Sequence, residues 1–324
     1  MLISVLLFAV GLVLLIKGGD WFVDGATGIA KRFNLPDIVV GATVVSIGTT
    51  LPEVMVSTAG ALAGSGAMAY GNAIGSIICN TALIAAISIT CNPGPVNVKS
   101  MKTPVIFFFA SAAMYCLAAY FLGTFPRWMG FVMLTVFVGY TLLTVRNGMK
   151  NPDAAAEEEE EDSKPRKLWQ ELALLVVGAA VIAVGADLLV DHGQIIAIEL
   201  GVPETVVALL FVALGTSLPE LVTTITSLKK GRASLGVGNV IGANVFNLVL
   251  VSGVAVSLAP FDVPVENTLL DTGLNLSLVF DIPVMLAVMT LMTVPALLSK
   301  KLGRWQGIAL LCIYAAFCVL QFIL

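Results

Sequence analysis

Two short segments of the chain each place a glutamate directly after a proline. Residues 48–53 read GTTLPE and residues 215–220 read GTSLPE. A proline inside a helix removes a backbone donor and clashes with the preceding turn, so the helix should bend or break there. Inside a membrane, the freed carbonyl oxygens near Thr49 and Thr216 need a partner. Together with the carboxylates of Glu53 and Glu220, they form an all-oxygen ligand set, which suits hard cations such as calcium or sodium.

A second pair of elements follows each of these segments. Residues 71–75 read GNAIG and residues 238–242 read GNVIG. Glycines four residues apart allow helices to touch backbone to backbone. Asn80 and Asn247 follow on the same helices, and Ser76 shares a helical face with Asn80. Because both asparagines recur beside a glutamate, we expect them to face the cation and not only to bridge helices.

Both pairs belong to one internal repeat. Residues 18–84 align without a gap with residues 185–251, and about a third of the positions are identical. The repeat also pairs aspartates near the helix ends, which are Asp20 with Asp187 and Asp24 with Asp191. These aspartates could line vestibules for incoming cations or solvate helix ends, and the second role is favoured.

The composition places the whole chain in lipid. It is 58% apolar and 12% charged over 324 residues, and apolar stretches of about 20 residues, long enough for a bilayer core, recur along it. A soluble domain is excluded. We predict an all-α integral membrane protein of ten transmembrane helices, the first a retained span and not a removed signal peptide. The predicted helices are 2–28, 36–61, 70–90, 104–122, 128–146, 169–195, 203–228, 235–258, 280–299 and 304–323.

Loop charges predict the orientation of the chain. With the N-terminus outside, all of the 17 Lys and Arg residues except Lys17 and Arg127 lie on the cytoplasmic side. Both termini are then outside the inner (plasma) membrane, and the linker 147–168 is cytoplasmic. The linker separates a first five-helix repeat, 1–146, from a second, 169–324. An odd number of spans per repeat inverts the second repeat, as is typical of alternating-access transporters with broken helices at the ion site.

These motifs resemble the cation/calcium exchanger superfamily, in particular its bacterial and archaeal sodium/calcium exchanger branch. The resemblance covers nearly the whole chain, including both proline–glutamate segments and both glycine–asparagine elements. It implies that Glu53 and Glu220 bind calcium together with the main-chain carbonyls of Thr49 and Thr216. It also implies sodium sites that use the same glutamates, with Asn80 and Asn247 completing the central region. The further sodium ligands would be Ser46, Thr50, Ser76, the carbonyl of Ala213, and Ser217.

Three positions depart from the pattern of that family. Thr50 stands where serine is common, which keeps the hydroxyl. Ala243 stands where some relatives have serine, so one sodium site has one ligand fewer. Asn247 stands where certain relatives carry aspartate, which lowers the negative charge of the site. The last change leaves the sodium stoichiometry and any potassium requirement open.

The expected function is secondary active antiport of calcium against sodium by alternating access. A pair of carboxylates without a cation is too highly charged to be enclosed, so calcium and sodium compete for the same glutamates. The long first and sixth helices would slide as a gate over the other helices. A proton-coupled antiporter of calcium or another divalent cation is the alternative. A channel is disfavoured because the inverted repeat builds the site within one chain, and an intramembrane hydrolase because its motifs are missing.

The remaining features predict no further chemistry. We expect no enzymatic activity, cofactor, nucleic acid or obligate protein partner, and the partners are the transported calcium and sodium ions and the lipid bilayer. The acidic run 154–162 lacks the ligand spacing of an EF-hand and favours a solvated linker over a calcium sensor. The five cysteines and the single histidine, His192, lack the spacing of a metal site and are interpreted as packing or membrane-end residues.

Overall fold

The computed structural model describes residues 2–150, 166–200, 215–264 and 275–323, and they are almost entirely helical. Eleven helical segments account for most of these residues. They are α1 (Leu2–Arg32), α2 (Asp37–Thr49), α3 (Leu51–Leu62), α4 (Gly66–Cys91), α5 (Val98–Leu122), α6 (Arg127–Met149), α7 (Leu168–Glu199), α8 (Leu218–Lys229), α9 (Ala233–Leu258), α10 (Ser277–Ser299) and α11 (Arg304–Ile323).

Most of these helices are long and apolar enough to cross a membrane. Eight meet that requirement, and α2 with α3 forms one further span that is bent by 45°. The protein is therefore a multi-pass membrane protein. Helix α8 corresponds to the second half of the predicted span 203–228, and residues 203–214 lie outside the described part of the chain. Helix α5 begins earlier than the predicted residue 104, because the side chain of Asn97 accepts a hydrogen bond from the Ser100 backbone nitrogen and caps it.

Several helices contain a π-helical turn, a feature that the hydrophobic pattern did not indicate. In α2 the wide turn covers Gly41–Val45, in α4 it covers Asn80–Ala85 and in α9 it covers Asn247–Val251. Such turns are rare and are frequently found at functional sites. Two of them begin at the asparagines that the sequence places at the cation site.

Helices α1 and α7 pack against each other as an antiparallel pair along glycines. A Cβ at Gly11 would lie 2.9 Å from the carbonyl oxygen of Gly185, and a Cβ at Gly185 would lie 2.9 Å from that of Gly11. About two turns further along α1, a Cβ at Gly18 would lie 2.9 Å from the backbone nitrogen of Ile182. The two backbones are therefore in direct contact over several turns.

The centre of the bundle is formed by α4 and α9. In α9, 83% of the most apolar stretch is buried, against 28% in α1. Helix α2 lies directly on α9, because a Cβ at Gly242 would lie 2.6 Å from both Cα and O of Ala42. This is the backbone contact predicted for the glycine element. For Gly71 and Gly75, the equivalent partner segment around 205–213 lies outside the described residues.

Two short antiparallel sheets join loops at the bundle ends. Strand β1 (Gly94–Pro95) pairs with β4 (Lys301–Leu302), and β2 (Thr124–Phe125) pairs with β3 (Phe261–Asp262). Each sheet ties a loop of the first half of the chain to a loop of the second half. The two halves are thus joined at their ends as well as through the central helices.

Candidate functional site

The two glutamates lie fully buried at the starts of α3 and α8. Both Glu53 and Glu220 are 0% exposed, and Thr50 of the first segment contacts Glu220 of the second. Within the described chain, neither oxygen of Glu53 has a hydrogen-bond partner. One oxygen of Glu220 accepts a hydrogen bond from the Thr50 hydroxyl at 3.4 Å, and the other has no partner in the same residues. A buried carboxylate is costly unless a cation or hydrogen bonds compensate it.

The proline of each segment creates the position that its glutamate occupies. Helix α2 ends at Thr49 and α3 starts at Leu51, so Pro52 lies in the first turn, where its missing N–H is tolerated. Pro219 has the same place in α8, which starts at Leu218. The glutamate that follows therefore lies in the first turn of a new helix, where the helix dipole favours negative charge.

The structure buries most of the oxygen-bearing side chains predicted for the site. Of the eleven residues predicted for the site, ten are described, and Ala213 lies outside the described chain. Nine are buried, whereas Thr216 is partly exposed; the nine are Ser46, Thr49, Thr50, Glu53, Ser76, Asn80, Ser217, Glu220 and Asn247. The polar side-chain atoms of Asn80, Asn247 and Ser217 find no hydrogen-bond partner among the described residues. These buried, unpaired atoms are available to a ligand.

Two asparagines that sequence reasoning left without a role hold the helix breaks in place. The side-chain oxygen of Asn239 accepts hydrogen bonds from Thr49 at 3.1 Å and Ser46 at 3.2 Å. The side chain of Asn72 accepts a hydrogen bond from Thr216 at 3.4 Å. Both asparagines belong to the recurring glycine–asparagine element, so their recurrence was the signal that could have identified them.

A neutral polar cluster lies beside the site on α4, α9 and α10. The amide nitrogen of Asn244 donates to the Thr81 hydroxyl at 2.7 Å and contacts the Met289 sulfur at 3.1 Å. Thr81 directly follows the predicted ligand Asn80. Asn244 is not repeated in the first half of the chain, where Ile77 stands at the equivalent position. Comparison of the two repeats could therefore not have revealed this cluster.

Several charged residues form ion pairs that do not include the two glutamates. Lys230 lies 2.7 Å from a carboxylate oxygen of Asp24 and 3.6 Å from one of Asp20. Asp20 and Asp24 lie inside α1, which continues to Arg32, and are therefore ion-paired with Lys230 at the end of α8. Elsewhere at this end, Arg32 pairs with Glu171 and Arg232 pairs with Asp37, each at 3.3 Å.

The chemistry available at the site is therefore that of cation binding. In the described ranges, no Lys, Arg or His forms an ion pair with Glu53 or Glu220. Thr50 contacts Glu220 with its hydroxyl, and the other predicted ligand side chains offer hydroxyl and amide oxygens. Hard cations that prefer oxygen ligands would compensate both carboxylates and the unpaired amides.

Comparison with known proteins gives relatives that cover the whole chain. The profile of the family described as "Sodium/calcium exchanger protein" matches residues 3–146 and 171–323. An uncharacterized membrane protein of Methanocaldococcus jannaschii is 34% identical, with 95% of this chain and 94% of the relative covered. Sodium/calcium exchanger MaX1 of Methanosarcina acetivorans is 29% identical, with 99% of both chains covered.

A solved structure agrees with this result. The sodium-calcium exchanger NCX_Mj is similar with a TM-score of 0.79 and 31% sequence identity, and 98% of each chain is covered. The family is one of transporters and not of enzymes. This chain belongs to the sodium/calcium exchanger family, within the archaeal and bacterial branch of the cation/calcium exchangers.

Proposed function

We propose that the protein is a secondary active antiporter that exchanges calcium for sodium by alternating access. The observation that carries the proposal is the pair of buried carboxylates, Glu53 and Glu220, whose charges no basic residue of the described chain compensates. Either one calcium or a set of sodium ions neutralises the pair and permits the conformational change. The named exchangers among the relatives, MaX1 and NCX_Mj, support this choice of ions.

The proposed architecture is ten transmembrane helices in two inverted repeats. Reciprocal contacts support it: Thr49 of the first repeat binds Asn239 of the second, and Thr216 of the second binds Asn72 of the first. Thr49 and Thr216 are equivalent positions of the two repeats, 167 residues apart, and so are Asn72 and Asn239. A two-fold relation between the repeats explains why the same bond occurs twice across the interface.

The proposed ligands are those that the resemblance implied. Glu53 and Glu220, with the main-chain carbonyls of Thr49 and Thr216, would bind calcium. The hydroxyls and amides around them, and the carbonyl of Ala213, would supply the sodium sites. The asparagine at position 247 removes a charge that certain relatives have, so the full site carries two negative charges and a single calcium neutralises it.

The proposed orientation puts both termini outside and the linker 147–168 in the cytoplasm of the inner membrane. The ion pairs of Lys230, Arg32 and Arg232 then lie at the cytoplasmic end. They join α1, α2 and α7 to each other or to the α8–α9 loop. These contacts favour a conformation in which the cytoplasmic side is closed.

Ion flux into liposomes tests the proposed exchange. Purified protein in sodium-loaded liposomes should take up calcium-45, and uptake should stop with potassium or choline inside. Glu53→Gln and Glu220→Gln keep the volume but remove one charge, so each should abolish uptake. Asp281→Asn is the matched control, because Asp281 lies within α10 and bonds to Gln321, outside the proposed site.

The outcomes separate the proposed exchange from its alternative. Uptake driven by a proton gradient without sodium would establish the proton-coupled antiporter instead. Sodium-dependent uptake that survives in both glutamine variants would overturn the assigned site.

A further inference from the structure

Asn72 and Asn239 occupy equivalent positions in the two repeats but do not make equivalent hydrogen bonds. The amide nitrogen of Asn72 donates to the Ser57 hydroxyl at 2.8 Å and to the Glu53 carbonyl at 3.3 Å. Among the described residues, its oxygen accepts one long hydrogen bond, 3.4 Å, from Thr216. Asn72 is thus bound firmly to α3 and weakly to the start of α8.

In Asn239, it is the side-chain oxygen, and not the nitrogen, that makes the hydrogen bonds. Its oxygen accepts from Thr49 at 3.1 Å and Ser46 at 3.2 Å, both on α2. Its nitrogen is buried and has no acceptor among the residues that the structure describes. Both asparagines therefore bind the α2–α3 span, although they belong to different repeats.

The missing acceptor of Asn239 can be identified from the repeat. Ser57, which binds Asn72, corresponds to Thr224 on α8. The Thr224 hydroxyl is also buried and also lacks a partner in the described chain. Helices α8 and α9 touch at this place, because a Cβ at Gly236, one turn before Asn239, would lie 3.1 Å from the Thr224 methyl. A donor and an acceptor that are bonded in one repeat are thus both unpaired in the other.

Unpaired buried polar groups are unfavourable, so this arrangement calls for a state in which they pair. In a transporter built from inverted repeats, each repeat adopts in one state the conformation that the other adopts in the opposite state. We propose that Asn72 and Asn239 are positioning residues whose hydrogen bonds exchange between the two states. In the opposite state, Asn239 donates to Thr224 and to the Glu220 carbonyl, while Asn72 releases Ser57.

The exchange links the gate to the cation ligands. Thr49 and Thr216, whose side chains bind the asparagine oxygens, are also the residues whose carbonyls are proposed to hold calcium. Each state then has one asparagine with a satisfied amide nitrogen and one without. The exchange of bonds therefore adds little to the free-energy difference between the two states, as a reversible exchanger requires. This inference rests on the proposed alternating-access exchange.

Two variants that each remove one hydroxyl should have opposite effects. Ser57→Ala removes a hydrogen bond present only in the state seen here, so it should favour the opposite state. Thr224→Val removes the bond of the opposite state, so it should favour the state seen here. In vesicles of one orientation, we expect the ratio of apparent calcium affinities at the two faces to shift by about fivefold in opposite directions, the effect of one hydrogen bond.

Matched variants show whether a shift in the affinity ratio depends on the hydroxyl at position 224 or follows from the loss of any buried hydroxyl on α8. Thr223→Val makes the same change in the neighbouring residue, also buried, and should leave the ratio unchanged. Thr224→Ser retains the hydroxyl and should behave like the unaltered protein. Shifts of Ser57→Ala and Thr224→Val in the same direction, or no shift with Thr224→Val, would overturn the exchange of bonds.

Amide hydrogen exchange measures the same equilibrium without transport. Ser57→Ala should speed exchange in α3 and slow it in α8, and Thr224→Val should do the reverse. Normal sodium-dependent flux without these opposite effects would refute the inference alone. Opposite effects without sodium-dependent flux would instead refute the proposed counter-ion.

Discussion

Helix pairs α1–α7 and α2–α9 are both packed through glycines, but they differ in what else joins them. Along most of α1–α7, the contacts are backbone against backbone, as between Gly11 and Gly185, and the ion pair of Arg32 with Glu171 lies at one end of the pair. Between α2 and α9, the glycine contact is reinforced by Ser46, whose hydroxyl donates to the Asn239 carbonyl at 2.9 Å. Close packing alone leaves the sliding direction free, whereas directional hydrogen bonds fix the register of two helices.

This difference assigns separate tasks to the two pairs. The α2–α9 pair carries Ser46, Thr49 and Asn239, and its register determines where the proposed ligands lie. The α1–α7 pair contributes no proposed ligand to the site. A seam whose described ion pair lies at one end suits a gate that moves, and a seam with hydrogen bonds near its centre suits a site that must keep its geometry.

The largest effect on stability is expected from a substitution that places a methyl group in the contact between α2 and α9. In Gly242→Ala, the new methyl group meets Cα and O of Ala42 at 2.6 Å, and a backbone cannot move aside cheaply. We expect a loss of stability of about 3 kcal/mol or more. The thermal unfolding midpoint in detergent measures it, and the rise of that midpoint on calcium addition should disappear.

Gly139→Ala in α6 is the control for this change, because no described atom lies within 4 Å of its added methyl. Its midpoint should equal or exceed that of the unaltered protein, since alanine favours a helix over glycine. An equal drop in both variants would mean that general helix effects, and not the α2–α9 contact, explain the loss.

A smaller effect is expected for the same substitution in the α1–α7 seam. In Gly18→Ala, the methyl group meets the backbone nitrogen of Ile182 at 2.9 Å and the Gly178 carbonyl at 3.1 Å. The seam can separate slightly, at a cost of about 1–3 kcal/mol. We expect calcium still to raise the unfolding midpoint, while the exchange rate falls by about tenfold because the gate is obstructed. Loss of the calcium response would contradict the division into gate and site.

The sequence predicted the buried polar residues better than it predicted the shapes of the helices. The proline–glutamate segments predicted the bend of 45° between α2 and α3, because the missing donor of Pro52 acts locally. The recurrence across 167 residues singled out glutamates and asparagines that the structure buries, and their common role in one site stays a prediction. Most helix boundaries also followed from hydrophobic length, apart from the earlier start of α5.

Features that depend on contacts between distant residues were not predictable. The π-helical turns at Asn80 and Asn247 leave no mark in hydrophobic periodicity. The bond from Thr49 to Asn239 joins residues 190 positions apart, so only the folded chain reveals it. The glycine spacing of α9 predicted a close contact, but the identity of its partner, α2, required the fold.

The smallest effect is expected from the ion pair that ties α1 to the end of α8. Lys230 is 29% exposed and pairs with Asp24 and Asp20, whereas Ala63, its equivalent in the first repeat, offers no charge. Partly exposed ion pairs contribute about 1 kcal/mol or less. Lys230→Met should therefore change the exchange rate by less than about fivefold and remove part of its salt dependence. Lys229→Met is the matched control, and an equal change there would show that loop charge, and not this ion pair, restrains the gate.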